Sequence, residues 1–465
     1  MAYALASIAP ILVNFAVTPF VTRILGPESY GVVAISISLF QFGIVVLTLG
    51  LAAAITRQAI ISRTGAAGAV ATVVLGAACA LLFFLLAWFL LPYWGPLILP
   101  GLEVGVLISP LLSCLGLAFL QNAQSFFRAE QRVATFVGLG AAASLAGPLV
   151  GIALVLLVDK SPATYLAGLA ATHLSIGLLA ILTCLRMRRP QFRRGEFSTS
   201  LRIGLPTVPH QVATSFVALI LVVVTSHASG LNAAGALQLG MLMGTAPLLL
   251  LGAFNNAWAP LIYRASDESR EGLLASSYRG FMLLTVVLIF GFAGLSPLVV
   301  PLVAGPLADT FPVTQVALIA ALGAPFMTSY LANIHLVFLS GRTSALAITT
   351  PLSAAAALAI VTVPGLFGVQ DDIRSFALAL PIFQIFQLLV SIKLRRKRSD
   401  LRLPSVALIP EFIVIVLMLL AGYVLNSRIE LVLAAEAILL TGLGWHRRRL
   451  IHEYLSNQRI LSAQL

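Results

Sequence analysis

The sequence has very little charge for its length. Asp, Glu, Lys and Arg together make up 9% of its 465 residues, whereas hydrophobic residues make up 60%. A soluble domain carries roughly 25% charged residues, so this composition excludes a soluble fold that covers itself with polar side chains. Lipid must be the solvent for most of the surface, and a spanning helix needs about 20 apolar residues. We therefore predict an all-α integral membrane protein.

The sequence is also poor in residues that carry out chemistry. Its three cysteines, Cys79, Cys114 and Cys184, all lie in apolar stretches. This is typical of small buried side chains rather than of a disulfide framework or a metal site. There is no nucleotide-binding loop, metal-ligand spacing or catalytic triad in the sequence, and the predicted outer loops are short. We therefore predict no cofactor, no metal and no enzymatic activity.

The excess of positive charge is explained by membrane topology. The net charge is +12, but the basic residues are not interleaved with aromatic ones, so no nucleic-acid partner is predicted. Apolar runs between polar breaks give about fourteen membrane helices. With a cytoplasmic N-terminus, 24 of the 28 Lys and Arg residues fall in predicted inner loops. Because basic loops stay on the cytoplasmic side, we predict a multi-pass protein of the bacterial cytoplasmic membrane with both termini inside.

Two arginine-rich loops divide the chain. The first, residues 186–202, follows the sixth predicted helix, and the second, residues 393–402, follows the twelfth. This layout predicts two lobes of six helices each and an additional C-terminal pair of helices. The predicted units are an N-terminal lobe over residues 1–195, a C-terminal lobe over 196–400, and a helix pair with a basic cytoplasmic tail over 401–465.

A short glycine pattern indicates that the two lobes arose by duplication. Gly26 and Gly31, before the second predicted helix, align with Gly230 and Gly235, before the eighth, at one offset of 204 residues. Glycines are common in such loops, but the offset agrees with the six-helix layout. Because six is even, the lobes are predicted to be related by a pseudo-two-fold axis along the membrane normal.

Three short motifs carry a resemblance to a known family. The run Thr22–Gly31 resembles the opening signature of Wzx-type polysaccharide flippases, which belong to the multidrug/oligosaccharidyl-lipid/polysaccharide exporter superfamily. Phe127–Ala129 with Arg132, at the end of the fourth helix, is also similar to this family, as is Gly204–Pro206 after a basic loop. The resemblance implies two six-helix lobes in a V around a central cavity, with lipid-linked glycan crossing between them and a lipid gate between helices one and eight.

The sequence departs from the family at one place. Many relatives carry charged residues late in the seventh helix, whereas here Leu221–His227 contains neither an acid nor an arginine. The departure leaves headgroup recognition and ion coupling open at that position. Acids are nearly absent from the predicted twelve-helix core, which disfavours a carboxylate-driven drug antiporter.

Polar side chains inside apolar helices mark candidate binding residues, because they are costly unless they face protein or water. They form stripes at helical spacing on the first, fourth, seventh, tenth and twelfth helices. The predicted substrate-binding residues are Arg23, Arg128, Asn14, Gln121, Gln124, His210, Gln211 and Asn333. An alternative interpretation is that these stripes only form hydrogen bonds between helices.

The two arginines and one histidine in this set have individual roles to test. Arg23 and Arg128, at opposite sides of the membrane, are candidates for binding a diphosphate, which suits the bidentate guanidinium. Alternatively, Arg23 reaches lipid headgroups and Arg128 is an ordinary cytoplasmic-side arginine. His210, between Pro206 and Pro209, is a candidate proton carrier on a helix that the prolines are predicted to kink.

The leading functional hypothesis is a flippase. It would move a polyprenyl-diphosphate-linked oligosaccharide from the inner to the outer leaflet by alternating access, for synthesis of cell-surface polysaccharide. Its predicted partners are this lipid-linked substrate, membrane lipid, and a proton or sodium as a candidate coupling ion. The alternatives are a drug or organic-cation antiporter of the same superfamily, a peptidoglycan-precursor flippase, and a membrane-embedded glycan polymerase.

Overall fold

A computed structural model describes residues 2–99, 104–339, 345–366, 372–396, 403 and 405–462. Within these ranges every regular element is a helix. An apolar segment in lipid forms a helix because the helix satisfies its backbone hydrogen bonds internally. The predicted all-α class is confirmed.

The first part of the described chain forms nine α-helices. They are α1 (Ala2–Leu25), α2 (Pro27–Leu47), α3 (Leu51–Ile61), α4 (Gly65–Phe89), α5 (Leu91–Ile98), α6 (Ile108–Ala129), α7 (Val133–Leu157), α8 (Pro162–Met187) and α9 (Glu196–Gly204). A 3₁₀ turn, Val104–Leu107, leads into α6, and another, Leu205–Thr207, follows α9.

The second part forms eleven α-helices among the described residues. They are α10 (Val208–Gly244), α11 (Ala246–Arg264), α12 (Asp267–Ala304), α13 (Pro306–Thr310), α14 (Val313–Ala321), α15 (Gly323–Leu339), α16 (Leu346–Leu366), α17 (Ile373–Ala377), α18 (Ala379–Arg396), α19 (Ile409–Val424) and α20 (Ile429–Ser462). The last helix therefore continues well into the predicted basic tail.

Twelve helical stretches of the described chain are long and apolar enough to cross a bilayer. One of them, Glu196–Asn255, has 60 residues, which is about three times the length that one crossing needs. It is divided at Gly230, which is not helical. Its two arms count as two spans rather than one. When α1 is added, with its apolar segment Phe15–Leu25, the number of spans is the predicted one of about fourteen.

The two glycine turns have the same backbone conformation. Gly26 precedes α2 with φ 79° and ψ 170°, and Gly230 divides α10 with φ 86° and ψ 173°. A side chain would strain both residues because L-residues rarely adopt this region. The duplication inferred from their spacing thus extends to the local geometry of the turn.

The helix pairings also repeat between the lobes. In the N-terminal lobe α6 packs on α8, α7 on α8, and α1 on α7. In the C-terminal lobe α15 packs on α18, α16 on α18, and α10 on α16. In the last of these pairs the first arm of α10 corresponds to α1. Each pair in the second set corresponds to one in the first after a shift of six membrane helices. Two six-helix lobes of the same topology therefore form the core.

The lobes meet most extensively where α2 crosses α10. At the crossing, a Cβ added to Gly31 would lie 2.1 Å from the carbonyl oxygen of Leu231, and one added to Gly235 would lie 3.2 Å from the Cα of Gly31. Small residues let two backbones approach closely in a membrane, where dispersion rather than hydrophobic burial drives helix association. The second pair of repeated glycines is thus the contact point between the lobes.

The C-terminal pair packs on the second lobe through α12 and α14. The pair contains a buried ion pair, in which Arg447 donates to both oxygens of Glu411 at 2.7 and 2.8 Å. Glu436 is fully buried, and neither of its oxygens has a hydrogen-bond partner in the described chain.

The two predicted unit boundaries stay predictions. The boundary at residue 195 falls between α8 and α9, and the one at 400 lies outside the described residues.

Candidate functional site

Two adjoining cavities lie inside the helical core. The first, of about 440 Å³, lies mainly in the N-terminal lobe, between α1, α2, α6, α7 and α8, and Leu242 of α10 also lines it. The second, of about 640 Å³, lies between the lobes and is bounded by α2, α10, α11, α15 and α18. Gln41, Gln121 and Leu242 line both. The cavities therefore meet at α2, α6 and the second arm of α10.

Glutamine is the characteristic polar residue of both cavities. The glutamines that line them are Gln41, Gln121 and Gln124 in the first cavity, and Gln41, Gln121, Gln211, Gln238, Gln384 and Gln387 in the second. No Asp or Glu lines either cavity in the part of the chain that is described. The lining is therefore rich in groups that both donate and accept hydrogen bonds, and it has no negative charge.

Arg128 is the arginine that reaches the first cavity. It lies in the last turn of α6 and its side chain is exposed. Its guanidinium carbon sits 5.3 Å from the centroid of the Phe136 ring on α7. Gln124, one turn earlier, donates to the carbonyl oxygen of Phe136 at 3.2 Å. Both predicted residues are thus held against the start of α7, and the cation–π contact orients the guanidinium while leaving its donors free.

His210 and Gln211 line the second cavity at the start of α10. The Nδ1 atom of His210 lies 2.8 Å from the hydroxyl of Thr350 on α16, and Gln211 donates to the Thr207 hydroxyl at 2.9 Å. The predicted kink is wrong, because Pro206 lies in the 3₁₀ turn and Pro209 in the first turn of the helix. Proline fits this position, since the first amide groups of a helix have no intrahelical partner. The interruption of α10 is at Gly230 instead.

Two other predicted residues, Arg23 and Asn333, do not line either cavity. Arg23 is exposed at the end of α1, where it donates to the carbonyl oxygens of Pro19 and Leu302, each at 2.9 Å. Asn333 is buried in α15, and its amide donates to the Ser329 carbonyl at 2.8 Å. The side chain of Asn14 lies outside the described part of the structure. Arg23 therefore connects α1 to α12, and Asn333 contributes to packing within the second lobe.

Two residues that line the second cavity are not among those predicted from the sequence. Gln41 and Gln238 are single polar residues within apolar stretches, so they form no stripe at helical spacing. Gln384 and Gln387 do form such a stripe but were not placed among the binding residues. The side-chain oxygens of Gln238 and Gln384 are buried and have no hydrogen-bond partner in the described chain. Buried polar groups are nearly always paired, so these two oxygens are exceptions. They have almost no accessible surface here, and a donor from a ligand or water reaches them only if the glutamine side chains turn toward the cavity that they line.

Comparisons with known proteins agree with this architecture. A lipid II flippase, MurJ, in an inward closed conformation is 16% identical, with a TM-score of 0.69 over 96% of this chain and 99% of MurJ. An inward-facing multidrug resistance transporter of the MATE family and MOP superfamily is 18% identical, with a TM-score of 0.66 over 85% of this chain and 98% of the transporter. At these identities the likeness establishes the fold alone.

A third similar structure is a MOP superfamily transporter from Pyrococcus furiosus, whose structure was interpreted as having a binding pocket of reversed polarity. It is 15% identical, with a TM-score of 0.56 over 85% of this chain and 95% of that one. No curated protein sequence matches this chain. A family model described as "Polysaccharide biosynthesis protein" matches residues 1–266, more than half of the length. The chain therefore belongs to this polysaccharide biosynthesis family, and it has the fold of these MOP superfamily transporters.

Proposed function

We propose that the protein is a flippase that moves a polyprenyl-diphosphate-linked oligosaccharide from the inner to the outer leaflet by alternating access. The observation that carries the proposal is the acid-free, glutamine-lined pair of cavities with one arginine, Arg128. A transported sugar is covered in hydroxyl groups, each of which donates and accepts hydrogen bonds. Amide side chains match both functions without carrying charge.

The open oxygens in the second cavity support a hydroxyl-rich ligand. The buried oxygens of Gln238 and Gln384 lack donors in the described chain, and leaving a buried acceptor unsatisfied costs about 1–3 kcal/mol. A sugar hydroxyl or a water can supply the missing donor once the two side chains turn these oxygens toward the cavity. An organic cation with N–H groups can also donate to these oxygens, but the described lining contains no carboxylate to balance its charge. The cavity therefore favours an oligosaccharide over a cationic drug.

Arg128 supports an anionic group beside the sugar. Its guanidinium is exposed at one end of the first cavity, and the contact with Phe136 uses the face of the ring rather than its hydrogen-bond donors. A diphosphate accepts two parallel hydrogen bonds from such a group. In this arrangement the diphosphate lies at the end of α6 while the sugar extends into the cavities, and the lipid tail stays in the bilayer.

Localised contacts between the two lobes are compatible with alternating access. The close crossing of Gly31 and Gly235 and the hydrogen bond from Arg23 to Leu302 both join the lobes at the end of the molecule that carries the glycine turns. Arg128 and His210, by contrast, lie near the opposite end. With the predicted cytoplasmic termini, the glycine end is the outer one. Gly50 and Gly204 also bring the turn after α2 and the start of the second lobe into backbone contact toward the other end, so alternating access requires at least one of these two contacts to separate. A peptidoglycan-precursor flippase is the second candidate, because the fold of MurJ is matched over 96% of the chain, including the extra pair.

The test uses the purified protein reconstituted into vesicles with a fluorescent polyprenyl-diphosphate oligosaccharide in one leaflet. Wild-type protein should expose the glycan to an external lectin. Arg128→Gln should slow flipping by about tenfold or more, since hydrogen bonds to a charged group contribute about 1.5–3 kcal/mol. Arg132→Gln is the matched control, because Arg132 is exposed nearby but lines neither cavity.

Other substrates in the same vesicles discriminate the alternatives. Faster flipping of a lipid II analogue than of any polyprenyl-diphosphate oligosaccharide would favour the second candidate. Uptake of an organic cation with no glycan flipping would overturn the proposal. Equal loss in the Arg128 and Arg132 variants would show that surface charge, rather than a site at Arg128, governs the rate.

A further inference from the structure

A third cavity lies away from the two that the proposed function uses. It has a volume of about 470 Å³ and lies between α3 and the segment that leads into α9. Its charged lining consists of Arg57, Arg193, Arg194 and Glu196. Three guanidinium groups therefore share one small space with one carboxylate, at the end of the molecule opposite the glycine turns.

The carboxylate in this cavity is already bound by neutral groups. Glu196, in the first turn of α9, accepts hydrogen bonds from the Gln58 amide at 2.9 Å, the Thr64 hydroxyl at 2.8 Å and the Ser62 hydroxyl at 3.3 Å. Arg57, Arg193 and Arg194 are exposed and make no hydrogen bond or ion pair with the described residues. The arginines therefore retain their donors and a net positive charge.

The floor of the cavity is rigid. The Gln58 side chain is buried, and its oxygen accepts hydrogen bonds from Thr72 and, at 3.4 Å, from Ser200. The Gln58 amide nitrogen donates to Glu196, so both the oxygen and the nitrogen of this side chain are hydrogen-bonded. This network ties α3, α4 and α9 together. Arg57 thus projects from a helix of this network, which reduces the entropy lost on binding. Arg193 and Arg194 lie in the segment before α9, which is held by backbone hydrogen bonds from Gln191 to Ala67 and from Glu196 to Arg193.

Large apolar side chains lie beside the arginines. Ile61, which lines the cavity, is 70% exposed, Ile60 is 66% exposed and Phe192 is 59% exposed. In a membrane protein such side chains face acyl chains. A ligand at this position meets guanidinium groups and hydrocarbon together, whereas a soluble phosphate compound uses only the former. The surroundings therefore favour a phospholipid over a soluble anion.

We propose that this cavity binds the phosphate headgroup of an anionic phospholipid, with the acyl chains lying against Ile60, Ile61 and Phe192. The site joins the end of the second span to the segment that starts the second lobe. Close by, a Cβ on Gly50 would lie 2.4 Å from the carbonyl oxygen of Gly204, so the two lobes are in backbone contact there. A bound lipid would stabilise this junction. The inference does not depend on the proposed transport substrate.

The experiment measures lipid binding by native mass spectrometry of the full-length protein in detergent. The probes are phosphatidylglycerol and, as a zwitterionic reference, phosphatidylcholine. R57Q/R193Q/R194Q should lower the affinity for phosphatidylglycerol by about tenfold or more, because charge-assisted hydrogen bonds are lost. R63Q/R186Q/R189Q removes the same charge from exposed arginines outside the cavity, and its affinity should stay within about twofold of wild type. Phosphatidylcholine binding should be the same in all three proteins.

Three results would overturn the site. The first is an equal loss in both triple variants, which would indicate diffuse surface charge. The second is an unchanged phosphatidylglycerol affinity in the cavity variant. The third is complete displacement of the lipid by excess sn-glycerol 3-phosphate, which would indicate a soluble phosphate ligand. If the triple variant does not fold, Glu196→Gln replaces it. Removing this negative charge should tighten phosphatidylglycerol binding by a few-fold, about threefold, and unchanged or weaker binding would contradict the site.

Discussion

The two cavities that adjoin at Gln121 differ in what they present to a ligand. The cavity inside the N-terminal lobe has an arginine, and its Gln124 is already hydrogen-bonded to the Phe136 carbonyl. The cavity between the lobes has no Lys or Arg in its described lining, but the buried oxygens of Gln238 and Gln384 have no donor. One cavity thus offers positive charge, and the other offers neutral acceptors.

This difference suggests a division of labour within one substrate. A lipid-linked oligosaccharide has an anionic diphosphate joined to a neutral or weakly charged sugar, so two adjoining environments suit it better than one uniform pocket. A charge at the centre of the membrane would also be costly, at about 3 kcal/mol on insertion scales. The arginine instead lies in the last turn of α6, near the helix end, while amides occupy the interior.

The largest effect is expected at the crossing of α2 and α10, because residues of both helices line both cavities. Gly31→Ala places a methyl group 2.1 Å from a backbone oxygen of the other lobe, which cannot move aside as a side chain would. Overpacking costs about 1–3 kcal/mol, and here it also separates the lobes, so we expect loss of transport and a lower thermal unfolding temperature. Gly280→Ala, where a Cβ would meet nothing within 4 Å, is the control. Equal stability and transport in the two variants would show that the crossing is not tight.

The next largest effect tests whether the open glutamine oxygens bind substrate or only connect helices. The double variant Gln238→Leu, Gln384→Leu removes two buried oxygens that have no partner in the described chain. Replacing an unsatisfied polar group by an apolar one is close to neutral for folding or stabilising. We therefore expect unchanged or higher thermal stability, with glycan flipping slowed by about tenfold.

A fall in stability together with transport would contradict this interpretation. It would mean that the amides hold α10 to α18, which is the alternative that the sequence analysis left open. Asn333→Leu serves as the matched control. Its amide donates to the Ser329 carbonyl, its oxygen is buried without a partner in the described chain, and it lines neither cavity. Leucine at this position should therefore leave flipping unchanged, whatever its effect on stability.

Several features of the fold could be predicted from the sequence because they depend on composition and period. Lipid imposes helices on apolar segments, so their class and approximate number follow from run length. The repeated glycines could be recognised because a backbone conformation at positive φ, as at Gly26 and Gly230, restricts the residue type. What the spacing could not show is that Gly31 and Gly235 contact each other across the lobes, because this depends on how distant segments assemble.

The candidate site was less predictable for a related reason. Gln121, Gln124 and Arg128 share one helix, so their spacing alone placed them on one face, and they line the first cavity. Gln41 and Gln238 are isolated in their helices, and only the crossing of α2 and α10 brings them into the same cavity. Arg23 has the right chemistry for a diphosphate, but its partners, the carbonyls of Pro19 and Leu302, were not apparent from the sequence.

A smaller effect is expected at Phe136, which orients the cation of the first cavity. Phe136→Leu keeps a buried apolar side chain but removes the ring face, 5.3 Å from the Arg128 guanidinium. Cation–π contacts at exposed sites contribute about 0.5–1 kcal/mol, or roughly two- to five-fold in affinity. We expect a higher apparent KM for the lipid-linked substrate at nearly unchanged maximal rate. In an Arg128→Gln background the same substitution should have no further effect on KM, and an additive loss would show that Phe136 acts independently of the arginine.

The smallest effect is expected at Arg23, which carries positive charge but lies outside both cavities. Its guanidinium already donates to two carbonyl oxygens and its side chain is exposed, so Arg23→Gln should remove only a weak tie between α1 and α12. We expect flipping rates within about twofold to threefold of wild type, in line with the small contribution of exposed polar contacts. The measurement is the initial flipping rate beside that of Arg128→Gln. If Arg23→Gln lost as much activity as Arg128→Gln, the diphosphate would have to pass the glycine end of α1. Charge recognition would then extend along the whole N-terminal lobe rather than being confined to the end of α6.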